Sequence, residues 1–105
     1  MDSILTSIKK LLGISEEDEN FDMDVIMHIN SVFMTLAELG VGPSKGFGIK
    51  DKSTTWKDFV DEDHQLYNSL PTYMYAKVKL IFDPPLSSAV IESLNRIISE
   101  FEWRL

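Results

Sequence analysis

The chain has 105 residues, a formal net charge of -7 at pH 7 and no cysteine. This length predicts a single domain, residues 1–105, with a modest core, and the lack of cysteine excludes disulfides and thiolate metal sites. The acidic balance argues against duplex DNA as the main partner, because affinity for DNA depends on lysine and arginine neutralising phosphates. No apolar run approaches the roughly 20 residues of a membrane span, so we expect no membrane contact and a cytoplasmic protein.

The first predicted element is a helix of about ten residues, capped by Asp2 or Ser3 and ended by Gly13. Lys9 and Lys10 lie near its C-terminus, where positive charge is favourable. The stretch 16–24, called the acidic link below, follows; six of its nine residues are Asp or Glu. The apolar face of the short helix consists of Ile4, Leu5, Ile8, Leu11 and Leu12.

The longest predicted helix lies between Asn20 and Gly40. Asp22 or Asn20 is the expected N-cap, and the glycine after the last apolar position is the expected C-cap. At about 1.5 Å per residue, eighteen residues span roughly 27 Å, so we expect this to be the central helix along which the shorter elements pack. Its apolar residues recur at helical spacing, namely Val25, Ile29, Val32, Phe33 and Leu36.

The stretch after this helix has the composition of an irregular loop, with three glycines and one proline within residues 42–48. Phe47 and Ile49 alternate with small or charged residues, which suits a short extended piece or half of a small hairpin, and 51–53 predicts a turn. A basic loop on an acidic body suits charge-complementary contact between copies or with a partner protein. The clustered lysines are Lys45, Lys50, Lys52 and Lys57, and we call the stretch that carries them the lysine loop.

The remaining elements are also predicted to be helical. Ser53 or Thr54 can cap a short turn that carries Trp56 and Phe59, and Pro71 suits the first position of a further helix. The paired prolines after Asp83 disfavour a helix across that point. Ser87 or Ser88 is the expected start of the last helix, and the fold class is therefore a mainly α, small helical bundle with a Gly/Lys-rich loop. The last apolar stripe consists of Val90, Leu94, Ile97, Ile98, Phe101 and Leu105.

Catalysis and metal binding find little support. Neither a nucleophile elbow nor a phosphate-binding loop ending in Lys-Ser/Thr is present. Asp24 and His28 are four residues apart, which suits part of a metal site, but a third and fourth ligand cannot be located. The favoured interpretation is an acidic helix start with a solvated histidine. The carboxylates of 58–63 are interpreted as a solvated face, so we expect no enzyme activity, no cofactor and no metal.

Several aromatic residues admit two interpretations. Trp56 and Phe59 suit either core packing or an aromatic anchor at a subunit interface, since Trp is enriched at interface hot spots. Phe101, Trp103 and Leu105 divide in the same way, because a terminal helix often docks on a partner. The candidate subunit or partner interface consists of Lys45, Phe47, Lys50, Lys52, Trp56, Phe59 and Trp103.

The order of elements along the chain resembles that of the tailed-phage head-tail connector, or adaptor, proteins. It consists of a short helix ending in Leu12-Gly13-Ile14, an acidic connection, a long helix after Phe21, a Gly-rich excursion and two closing helices. The stretch 27–33, with Gly46-Phe47 and residues 56–59, looks like phage and prophage proteins of low-GC Gram-positive bacteria. The middle loop departs from the family in being shorter and richer in glycine.

This resemblance implies a ring of identical subunits between portal and tail, without catalytic residues. The implied partners are other copies of the chain, the portal protein and the tail-completion protein. The implied location is the host cytoplasm during assembly and then the virion. Ring interfaces are heterologous, so we expect the acidic link of one copy to lie against the lysine loop of its neighbour. The alternative function is a small acidic phage regulator or inhibitor that binds a host protein, although the lysine loop argues against it.

Overall fold

The computed structural model describes residues 3–105, and within this range it contains five α-helices and no β-strand. The prediction of a mainly α fold is therefore confirmed. A single 3-10 turn, Tyr67–Ser69, precedes the fourth helix. The helices are α1 (Ile4–Leu12), α2 (Asp22–Glu38), α3 (Trp56–Phe59), α4 (Leu70–Phe82) and α5 (Ser88–Trp103).

The ends of α1 follow from local hydrogen bonding. The Ser3 hydroxyl accepts a hydrogen bond from the backbone N–H of Thr6 at 3.0 Å, as an N-cap should. Gly13 has a φ of 82°, a left-handed conformation that costs glycine little, and it ends the helix as predicted. Asp2, the other candidate cap, lies outside the described residues.

The start of α2 differs from the prediction. Helix α2 has 17 residues and is the longest, but its N-cap is Phe21, with no side-chain cap hydrogen bond. Asp22 is the first residue of the helix, and its carboxylate pairs with the ammonium of Lys9 at 2.7 Å. The backbone N–H of Asn20 donates to the Asp18 carboxylate at 3.0 Å. Neither predicted residue therefore caps α2, and the Asp22 side chain pairs instead with the buried ammonium of Lys9.

Lys9 is the polar residue that joins α1 to the acidic link. Its side chain is only 4% exposed, although lysine is almost never buried unless it is paired. Besides the Asp22 carboxylate, its ammonium donates to the carbonyl oxygens of Glu16 at 3.2 Å and Asp18 at 2.7 Å. The ammonium thus makes two hydrogen bonds and one ion pair, which together compensate its buried charge.

Helix α4, rather than α2, holds the central position, because it packs against α1, α2 and α5. The expectation that α2 would be central was wrong for a physical reason. A helix with neighbours on several sides is apolar around much of its circumference, as α4 is, whereas the residues that α2 buries lie along one side. The buried residues of α4 are Leu70, Tyr73, Met74, Ala76 and Val78.

Aromatic contacts show that α2 and α5 lie on opposite sides of α4. Phe82 of α4 meets Phe21 beside α2, with ring centroids 5.8 Å apart. Tyr73 of α4 stacks on Phe101 of α5 at 4.1 Å. Nine residues of α-helix make two and a half turns, so the side chains of Tyr73 and Phe82 leave α4 in opposite directions.

The loop after α2 does not form the hairpin that its alternating residues suggested. Within residues 3–105, the one β-type pairing is an isolated bridge between Ser3 and Thr55. The Asn30 side-chain amide of α2 donates to the Ile49 carbonyl at 3.0 Å and accepts from the Ile49 N–H at 2.7 Å. Because this amide satisfies the Ile49 backbone, the extended piece needs no partner strand.

Two further predictions concern the starts of α4 and α5. Pro71 lies in the first turn of α4, one residue later than the predicted first position, because the helix already begins at Leu70. The Ser87 hydroxyl accepts from the Val90 N–H at the start of α5, as predicted. The cap of α3 is Thr55 rather than Ser53 or Thr54. Its backbone N–H donates to the Asp58 carboxylate at 2.8 Å, which ties the turn to its own helix.

Candidate interaction surfaces

The aromatic residues predicted for an interface around α3 are buried inside the chain. Trp56 is fully buried, and its indole N–H donates to the Ser7 hydroxyl at 3.3 Å. Phe59 packs in a triangle with Phe33 and Phe47, in which the ring centroids are 4.7 to 5.0 Å apart. These contacts match the core-packing interpretation. A role for these rings between subunits stays a prediction.

The predicted basic residues are all on the surface. Lys45, Lys50 and Lys52 are exposed. Asp51 receives hydrogen bonds from the hydroxyl and N–H of Ser53, which lower the pKa of its carboxyl and close the predicted turn at 51–53. Lys52 lines a surface depression together with Glu16, so part of the acidic link lies near the lysine loop of its own chain.

The end of α5 divides into a buried and an exposed part. Phe101 is buried against Tyr73, whereas Trp103 is 88% exposed. The next two residues, Arg104 and Leu105, are also exposed. We call residues 103–105 the α5 tip. It is the one predicted aromatic contact site that lies on the surface of the described residues.

A second exposed apolar surface was missed at the sequence level. Met23, Met27 and Met34 of α2 are 84%, 60% and 66% exposed, and we call them the Met face. They include three of the five methionines of the chain. Their spacing of four and seven residues was a readable signal, because these are the helical offsets that place side chains on one face. The core stripe of the same helix is the stronger pattern, with five buried apolar residues.

The comparison with known protein families matches this chain to one family model. The model of the phage connector protein family covers residues 4–105. The chain belongs to the phage connector protein family. Comparisons with curated proteins and with solved structures gave no match. The resemblance to connectors is thereby confirmed at the level of the family.

Asp24 and His28, the two residues considered for a metal site, have no further ligands gathered around them in the described part of the chain. Among residues 3–105, no group of three or more His, Cys, Asp or Glu is placed to hold a metal ion. His28 is half-buried, with its ring centroid 6.1 Å from that of Phe82. The histidine that was expected to be solvated is therefore only partly open to solvent, because Phe82 of α4 lies against its imidazole.

The acidic stretch 58–63 borders a wide, open depression of about 660 Å³ between the loop at 40–43 and the end of α3. Asp61 and Asp63, which line this depression, are exposed to solvent, and the Asp58 carboxylate accepts a hydrogen bond from the N–H of Thr55. This is the solvated acidic face that the sequence indicated. In the part of the connector chain that is described, no helix has the length and apolar character needed to cross a membrane.

Proposed function

We propose that the protein is a subunit of a head-tail connector ring, placed between the portal and the tail of a phage particle. The observation that carries this proposal is the family match over residues 4–105. Its partners are other copies of the chain, the portal protein and the tail-completion protein. The proposal includes assembly in the host cytoplasm followed by residence in the virion, and an origin in a phage or prophage of low-GC Gram-positive bacteria.

The proposed mechanism is structural and involves no catalysis. A closed ring of identical subunits needs two different surfaces on each subunit, since its interfaces are heterologous. The chain offers exposed apolar side chains on α2 and at the α5 tip, on opposite sides of α4. An α-helical unit with α4 packed against three other helices is a firm spacer between such surfaces.

A charge contact between neighbours is a further part of the proposal. Glu17 and Glu19 of the acidic link are exposed, and the Ser15 hydroxyl donates to Glu17 at 2.7 Å and lowers the pKa of its carboxyl. We propose that these carboxylates face the exposed Lys50 and Lys52 of the next copy. The double reversal Lys50→Glu with Lys52→Glu weakens assembly if this contact exists, and unchanged assembly would show that the pairing is wrong.

The experiment that tests the function is a mass measurement by light scattering, on the protein alone and after mixing with a candidate portal assembly. A closed oligomer, or ordered binding to the portal, supports the connector proposal. An unrelated acidic protein of similar size is the control for binding by charge alone. A persistent monomer that ignores the portal contradicts the proposal, and a pull-down with host proteins then tests the acidic-regulator alternative.

A further inference from the structure

The Met face runs along the outer side of α2, with Asn30 between Met27 and Met34. Met27 and Met34 lie four and eleven residues after Met23, so the three side chains leave the helix within about 40° of one another. Methionine side chains are flexible and make favourable contacts with aromatic rings. Exposed apolar side chains that cluster in this way mark interaction surfaces, whereas single ones are ordinary.

The charge around the Met face is negative. Helix α2 contains no lysine or arginine in its 17 residues. Asp24 lies three residues before Met27, Glu38 lies four residues after Met34, and both carboxylates are exposed. These offsets place each acid beside a methionine of the face. Asn30 holds the loop at Ile49 and the next residue, Lys50, is exposed, so the acidic residues lie toward the two ends of the face. A partner of matching chemistry is apolar and basic.

The α5 tip has this matching chemistry. Trp103 and Leu105 supply exposed apolar surface, and Arg104 between them supplies an exposed positive charge. Tryptophan and arginine are the residues most enriched at the energetic centres of interfaces. An aromatic ring against methionines, with a guanidinium beside carboxylates, satisfies both the apolar and the charge requirements of the Met face.

The two surfaces belong to different copies. Because α2 and α5 pack on opposite sides of α4, the α5 tip does not dock on the Met face of its own chain, and its tryptophan is 88% exposed. We propose that the α5 tip of one copy docks on the Met face of the next, an inference that rests on the proposed ring. Such a contact joins two different surfaces and leaves one of each free, so it continues from copy to copy until the ring closes.

The absence of cysteine makes a clean cross-linking test available. Two single variants, Met27→Cys and Leu105→Cys, are mixed and treated with a short bismaleimide. We expect a covalent dimer in the mixture and little product from either variant alone. The double variant Met27→Cys/Leu105→Cys is expected to give a ladder of covalent oligomers. The matched control pairs Met27→Cys with Leu86→Cys, since Leu86 is fully exposed on the loop between α4 and α5.

Substitution gives an independent readout by light scattering. Trp103→Ala is expected to raise the protein concentration needed for assembly at least about tenfold, as truncation of a hot-spot residue does, whereas Leu86→Ala leaves it unchanged. Arg104→Glu is expected to weaken assembly, and Asp24→Lys in the same chain is expected to restore part of it. Circular dichroism checks that each variant keeps its helices.

The possible outcomes separate this contact from the proposed function. Wild-type oligomers with no cross-link between positions 27 and 105, and with no effect of Trp103→Ala, overturn the contact and leave the ring standing. Equal cross-linking in the Leu86 control also overturns it. A protein that stays monomeric alone and with the portal assembly overturns both, because no contact between copies then exists.

Discussion

Replacement of Lys9 by methionine tests how the acidic link is held. The methionine keeps most of the length and apolar character of the side chain but removes the ammonium. The loss affects three partners, namely the carbonyl oxygens of Glu16 and Asp18 and the carboxylate of Asp22. The variant is therefore expected to lose the connection between α1, the link and the start of α2, without losing the core around α4.

The size of the effect follows from these contacts. Removing one partner of a buried ion pair costs about 3–5 kcal/mol, because the other charge is left without compensation. The Asp22 side chain is 22% exposed and can take up water, which places the expected loss at the lower end, about 3 kcal/mol. At about 4–8 °C per kcal/mol for a domain of this size, the melting temperature falls by roughly 12–24 °C.

The measurement is urea and thermal unfolding followed by circular dichroism. Lys57→Met is the matched control, because it removes the same charge from an exposed pair, 3.5 Å from Glu62, that contributes at most about 1 kcal/mol. A glutamate-specific protease gives a local readout, since Glu16 becomes easier to cleave when its carbonyl is released. If Lys9→Met loses no more stability than Lys57→Met and is cleaved no faster, the described role of Lys9 is wrong.

Three further predictions concern other contacts of the fold. Gly42→Ala is expected to cost about 3 kcal/mol in urea unfolding, because its φ is 92° and a Cβ would overlap the ring of Phe59, whereas Gly40→Ala meets no neighbour and costs about 1 kcal/mol. Asn30→Asp is expected to cost about 2 kcal/mol by the same measurement, because an ionised carboxylate cannot donate to the backbone carbonyl that the amide holds. Burial and the hydrogen bond to a glutamate raise the pKa of Tyr73 in the folded chain. Its neutral phenol therefore contributes fully to the free energy of unfolding below the unfolded pKa of about 10, and this contribution is lost as the pH rises above that value. Between pH 9 and 11, Tyr73→Phe is therefore expected to lose less stability than the wild type, in roughly the range where free tyrosine ionises.

Each of these has an outcome that would contradict it. Equal losses for the two glycine variants would mean that the ring near Gly42 moves away without cost. An Asn30→Asp variant as stable as the wild type would show that the loop does not depend on the amide. Parallel pH profiles for Tyr73→Phe and the wild type would show that the phenol is not responsible for the alkaline loss.

The helical fold could be predicted from the sequence because its signals are local. Helix periodicity, the left-handed Gly13, the serine cap at Ser87 and the position of Pro71 each act within a few residues. The errors arose where a distant side chain outcompetes a local one. Asp22 was expected to cap α2 but pairs with Lys9, thirteen residues earlier, and such a contact has no signature in the local pattern.

The interaction surfaces were predictable only in part, because burial depends on the tertiary arrangement. Trp56 and Trp103 look alike in sequence, each on a helix with apolar neighbours. The first is covered by α1 and bonded to Ser7, whereas the second leaves the end of α5 and meets no other helix. The spacing of the Met face was readable, but its exposure depends on the tertiary arrangement, in which α4 packs against the other side of α2.

Ionic strength distinguishes the two contacts that we propose between copies. Each copy carries a net charge of -7, so copies repel one another over about 10 Å at 0.1 M salt, and added salt shortens that distance. The contact of Trp103 with the Met face is mainly apolar, so it strengthens as salt is raised to about 0.5 M, because the repulsion between copies falls by more than the attraction of Arg104 for the carboxylates beside the Met face. A contact of Lys50 and Lys52 with the acidic link weakens over the same range. The measurement is the concentration at which half of the protein is assembled, followed by light scattering at each salt concentration. If salt promotes assembly in the wild type but not in Trp103→Ala, the apolar contact controls ring formation. If salt dissociates the oligomer, the contact between the lysines and the acidic link controls it.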